Sequence, residues 1–162
     1  MAYTIDDELH SQSAYSPGVV KDEEELLRII FYPEHIVDNI VQPSAIALDD
    51  LRSRGFSVDR RPYVQQDILQ QNVANLRNRQ QEARQVGYIA QLQCRAVRDI
   101  QDNNAERAFI VIDTAHEINI AHASIYSARP RTDAHLRRLR NRLLVLLETR
   151  CFTTIHFFSA KW

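Results

Sequence analysis

AFIVIDTAHEINIAHASIYS, residues 108–127, decides how the chain folds. AFIVID (108–113) is a run of branched and aromatic residues and reads as a buried strand. TAHEIN (114–119) is polar, and IAHASIYS (120–127) returns to an extended pattern. Two strands joined by a short polar loop make an antiparallel hairpin. In the second arm Ile120, His122, Ser124 and Tyr126 share one face, and Ala121, Ala123, Ile125 and Ser127 share the other, because side chains alternate along a strand.

The alternatives for the two histidines fail on geometry. As one strand, the six steps from His116 to His122 separate them by ~20 Å at ~3.3 Å per residue. As one helix, ~100° per residue puts them on nearly opposite sides. Neither arrangement lets them share a metal, and the four-residue spacing of a helical zinc motif is absent. The hairpin leaves His122 on a strand and His116 in the loop, and the expectation is that they are not partners.

Outward from the hairpin, LLRIIFY (26–32) reads as a strand ended by Pro33, and GFSVDR (55–60) as a strand after a turn at Gly55. The piece between, IVDNIVQPSAIAL (36–48), is extended or irregular. GYIAQLQCRAVRDI (87–100) alternates through Tyr88, Ala90, Leu92, Cys94 and Ala96 and is read as a strand, with a helix as the close alternative. CFTTIHFF (151–158) is a last strand. The segment 62–85 holds seven glutamines and a thin apolar stripe of Val64, Ile68, Val73 and Leu76, which suits a surface helix or one that docks on a partner. A C-terminal helix at about 132–150 carries Leu136, Leu139, Leu143, Leu146 and Leu147, capped at Thr132 or Asp133. The expected fold is α+β: a flexible arm over 1–20, then a single domain over 21–162, its mostly antiparallel sheet packed with one or two helices.

The bulk numbers bound the function. A chain of 162 residues, 44% apolar and 25% charged, with net charge −1, has no global field that favours nucleic acid or a membrane. LLVLL (143–147) is its longest aliphatic run, and the acidic, polar start lacks a secretory pattern. Cys94 and Cys151 offer neither a disulfide framework nor Cys-x-x-Cys, so a reducing, cytoplasmic setting is expected. Three glycines exclude the Gly-rich phosphate loops, and no metal or cofactor is expected. Six arginines within 129–142 suit the solvated face of the C-terminal helix better than a phosphate track.

Arg28 lies inside an apolar strand, where a guanidinium needs a carboxylate or a ligand anion. Ser44 and Ser57 bound short extended pieces, where a hydroxyl can reach a ligand. Arg28, Pro33–Ile36, Pro43–Ser44, Phe56–Asp59 and Ala121–Ile125 together resemble a group of small uncharacterised bacterial proteins. That resemblance implies a bacterial origin and links His35 with His122, and it supplies no activity. His122-Ala123-Ser124-Ile125 is similar to the repeated motif of two-histidine phosphoesterases, although the nearest candidate for a second copy, His156–Ser159, has its serine one place late. The early arginine followed by serines is similar to ADP-ribosyltransferase-like folds. That resemblance implies NAD binding and a late catalytic glutamate, and Glu117 lies beside the right stretch without the Glu-x-Glu or Gln-x-Glu pair.

The reading that combines these features is a nucleotide or phosphate-ligand pocket, with group-transfer or phosphodiester chemistry if it is an enzyme. Arg28 binds the anion, His35 and His122 are the catalytic acid–base or hydrogen-bonding groups, and Ser44, Ser57 and Ser124 contact the ligand. It requires Arg28, His35 and His122 to meet in one cleft. The competing reading is a non-catalytic interaction module of a toxin–antitoxin or phage-defence system, holding a protein partner through 62–85 and 132–150.

Overall fold

The computed structural model describes residues 3–148 and 153–154. Strands β1 (Glu25–Pro33), β4 (Phe56–Arg60), β5 (Arg84–Gln93), β6 (Phe109–Asp113), β7 (His122–Ser127) and β8 (Thr153–Thr154) form one sheet in the order β6-β7-β4-β1-β5-β8. Every pairing is antiparallel. A separate tight hairpin joins β2 (Ile36–Val37) to β3 (Ile40–Val41). The helices are α1 (Gln66–Arg79), α2 (Cys94–Arg98) and α3 (Asp133–Glu148). The chain is thus a single α+β domain.

The two faces of the sheet differ. On one, Leu26, Ile30, Phe56, Val58, Val111, Ala123 and Ile125 pack with the α3 leucines 136, 139, 143, 144 and 147. The Thr132 hydroxyl accepts the His135 amide N–H at 3.3 Å and caps α3. On the other face α1 lays Leu69 and Val73 on Leu27, Phe31 and Ile89. The α1 stripe expected to serve a partner, Val64 and Leu76 included, is therefore turned onto the protein's own sheet, and its buried line runs through Leu69 rather than Ile68. This covers β1 and β5 but leaves β4 and β7 open on that side.

Several expectations change in detail. The irregular piece after Pro33 contains the β2–β3 hairpin, closed by Asp38 and Asn39 at φ 50° and 64°, the left-handed pair that a two-residue turn needs. The stretch 87–100 is strand only to Gln93 and helix from Cys94. Residues 3–20, expected as a loose arm, are docked on β6 and β7. The Glu8 carboxylate, buried, accepts the Val111 amide at 2.6 Å and faces Arg98 and Arg107. Asp113 accepts the hydroxyls of Ser11 and Ser16. Of the clustered arginines, Arg137 and Arg138 are exposed, but Arg131 is buried against Asp102 at 3.0 Å. The expected last strand is described only at 153–154. His156, Ser159 and Cys151 lie outside the described residues.

The sheet is split at its centre. β1 pairs with β5 along its whole length, but with β4 only at Leu26↔Arg60 and Leu27↔Asp59. Beyond these pairs the two strands part, and Arg28 bonds across the gap: its Nη1 donates to the Ser57 carbonyl at 2.8 Å and its guanidinium lies 4.1 Å over the Phe56 ring. The closed end of the fork is held by Arg60, which is fully buried. It forms a bidentate pair with Glu24 at 2.8 and 2.7 Å and donates to the carbonyls of Gly18 and Val19. Removing this cation strands two buried carboxylates, Glu24 and Asp113. Arg60→Ala is expected to cost about 3–5 kcal/mol in urea unfolding, and a loss below 1 kcal/mol, on the order of an exposed ion pair, would show that the clamp does not hold the fork.

Candidate functional site

The split opens a cleft of about 430 Å³. Its walls come from five separate segments. Arg28 rises from β1; Ser57 and Asp59 from β4; His122 from β7 with Asn119 from the loop before it; and His35 and Ser44 from the connection around the small hairpin. Asn72, Asn75 and Arg79 line it from α1. Arg28, His35, Ser44, Ser57 and His122 thus share one cleft, as the pocket reading requires. Ser124 does not line it. Its hydroxyl is 2.9 Å from that of Thr114, and it lines a neighbouring cleft instead.

Register explains the polar floor. Asp59 lies opposite His122 and Ser57 opposite Ser124, so all four project from one face. Gly55, at φ 90°, keeps this corner tight, because a Cβ there would stand 2.8 Å from the Tyr126 hydroxyl and 2.9 Å from the Ser124 Cβ.

Arg28 meets no carboxylate within 4 Å among the described residues, and its buried Nε has no partner there. Burial draws its pKa down to about 10, partly offset by Asp50 and Asp59, so the group remains a cation at neutral pH. Glu34 is occupied by Arg84, and Asp50 faces Arg54 at 3.3 Å. Asp59 has Asn119 as its donor at 2.8 Å, and burial raises its carboxyl above the ordinary value. An underpartnered guanidinium beside polar amides and hydroxyls can take an anion together with a hydrogen-bonding body.

The two histidines named for proton transfer are in different states. His35 is buried; its Nδ1 accepts the Phe31 amide N–H at 3.0 Å, which puts the ring hydrogen on Nε2, 3.6 Å from the Glu34 carboxylate. Burial holds its pKa down to about 4 against the pull of Glu34. Its Nδ1 is taken by the backbone, and its Nε2 faces the Glu34 carboxylate beyond hydrogen-bond distance. His122 is half-buried. Its Nδ1 lies 3.0 Å from the Thr114 carbonyl and 2.7 Å from the Thr114 hydroxyl. A carbonyl only accepts, so Nδ1 carries the hydrogen and Nε2 keeps a bare lone pair. Burial and His116 lower its pKa, favouring that neutral form.

The sequence alone did not single out Asp59, Thr114, Asn119 or the α1 asparagines. Strand alternation from Ser57 to Asp59 carried the signal for the first. His116 is a correction: the loop folds back through paired backbone bonds between His116 and Asn119, and the His116 and His122 rings lie 4.5 Å apart.

Searches of protein-family models, curated proteins and solved structures find no match to this chain. Among the described residues no helix is long and apolar enough to cross a membrane.

Two measurements check these states. Nitrogen-15 NMR at pH 7 should find His122 neutral with its hydrogen on Nδ1, and the opposite tautomer would remove the bare Nε2 from the cleft. The second concerns pH. His35 titrates near 6.5 in the unfolded chain and about 4 in the fold. As pH falls through that interval the unfolded state takes the proton first, so stability drops from about pH 6.5 to about 4 and this group adds nothing above it. His35→Asn, which keeps an acceptor for Phe31, should flatten that decline in urea midpoints, and an unchanged decline would place its cause elsewhere.

Proposed function

We propose that the split-sheet cleft binds a nucleotide or a related phosphate-bearing molecule. The observation that supports this most is convergence: Arg28, His35, Ser44, Ser57 and His122 come from separate segments to line one cleft, and the guanidinium among them lacks a carboxylate within ion-pair distance among the described residues. A half-buried guanidinium whose buried Nε is unbonded gains from an anion, and a phosphate supplies both the charge and the acceptors. Asn72, Asn75, Asn119 and the rim hydroxyls of Ser44 and Ser57 provide donors and acceptors for the rest of the ligand. Ser44 already donates to the Glu34 carbonyl at 2.9 Å, which leaves it as an acceptor.

If the cleft carries chemistry, His122 is the proton acceptor, because its Nε2 is bare and its Nδ1 is fixed by Thr114. Group transfer or phosphodiester chemistry suits such a base beside an anion-binding arginine. The interaction-module reading draws no support from α1, whose stripe packs on Leu27, Phe31 and Ile89.

The test is calorimetric titration of the purified chain with AMP, GMP and inorganic phosphate, followed also through the His122 ring resonances. Binding is expected with His122 perturbed. Arg28→Gln should weaken it by about 10- to 100-fold, the range of a hydrogen bond to a charged group. If none of the three binds at millimolar concentration, the proposal is wrong.

A further inference from the structure

A second cleft, of about 610 Å³, adjoins the first on the same face of the sheet. The docked arm lines one side of it through Tyr3 and Tyr15, and the β6–β7 loop the other through Thr114 and His116. Two residues line both clefts, Ser57 and His122. They stand on the adjacent strands β4 and β7, so the saddle between the clefts presents one hydroxyl and one imidazole. Arg28 is bonded to the carbonyl of that same Ser57. The underpartnered cation therefore lies beside the saddle.

That position says where the negative charge of a ligand belongs. A cation beside the junction suits an anion with a substituent on either side. The second lobe is not built for another phosphate: its arginine, Arg54, already faces Asp50 and Asp49, and Glu117 is present as well. It offers aromatic surface and hydroxyls instead, with Tyr15 51% exposed and Thr114, Ser124 and Tyr126 along the floor. Such a lobe fits an uncharged nucleoside, its base stacked on a ring and its ribose among hydroxyls. Each cleft has the volume of a pocket for a ring-bearing group.

We propose that the two clefts are halves of one site for two nucleosides joined through a phosphate linkage, the linkage lying over Ser57 and His122 beside Arg28. One nucleoside occupies the lobe below Asn72 and Asn75, and the other stacks on Tyr15. This rests on the reading of the first cleft as a nucleotide site. The shared chemistry covers a 3′–5′ monophosphate link, as in RNA, and a 5′–5′ diphosphate link.

The experiment is calorimetric titration of the whole chain and of Tyr15→Ala with AMP, adenylyl-(3′→5′)-adenosine and diadenosine 5′,5′-diphosphate. Tyr15 is half exposed, so its truncation leaves the fold standing. At least one linked compound should bind about tenfold more tightly than AMP, the value of one further base stack. Whichever gains identifies the linkage. Tyr15→Ala should return that compound to the AMP affinity and leave AMP itself unchanged. Equal affinity for AMP and both linked compounds overturns the two-lobed site while the nucleotide reading stands. A gain that survives Tyr15→Ala overturns the placement of the second nucleoside. Failure of AMP to bind removes the nucleotide reading and this inference with it.

Discussion

The buried contact between Arg60 and Glu24 holds together the parts on which the cleft depends. Arg60 ends β4, Glu24 precedes β1, and the carbonyls of Gly18 and Val19 that Arg60 also holds belong to the arm. A fully buried guanidinium is tolerable only when its donors are satisfied, and here two carboxylate oxygens and two carbonyls do so. The consequence is directional. The strands are fixed where Leu26 meets Arg60, and they separate from there. Arg28, two residues beyond Leu26, reaches the Ser57 carbonyl with its side chain in place of a continued ladder. One arginine closes the fork, and another lies between its tines with bonding capacity left over.

The candidate site follows from this frame together with the uneven covering of the sheet. The α3 leucines seal one face across β1, β4 and β7, so the polar residues of β4 and β7 are left on the other. There α1 reaches only β1 and β5. The open area between α1 and the arm is where Asp59, His122, Ser57 and Ser124 stand. Electrostatics separates the histidines within this area. His35 is spent on a backbone amide and faces Glu34, while the Thr114 carbonyl fixes His122 and leaves one nitrogen free.

What the sequence made legible is what local periodicity controls. Alternation through IAHASIYS assigned His122, Ser124 and Tyr126 to one face, and the spacing of the α3 leucines located that helix. The misses have physical reasons. Asp38-Asn39 closes a two-residue turn without the glycine that usually announces one. Alternation continues past Gln93 through Cys94 and Ala96, so nothing in the pattern marks the switch to α2. The docking of the arm depends on Glu8 meeting Val111, a pairing across 103 positions that no local window contains. The approach of His116 to His122 depends on the path of a loop. Convergence of Arg28, His35 and His122 was expected, but its cause, a sheet divided at its centre, was not visible in any one strand.

A divided sheet also changes where its cohesion lies. In an unbroken antiparallel sheet the central strands are the most firmly held and the margins fray first. Here β1 and β4 occupy the middle of the order and share only two ladder pairs. The protein is therefore laid out like an open book. β6, β7 and β4 with the arm form one board, β1 and β5 with α1 form the other, and the α3 leucines share one core with residues of both. A thinly paired seam runs down the centre, and a molecule seated there would act as a rivet between the boards.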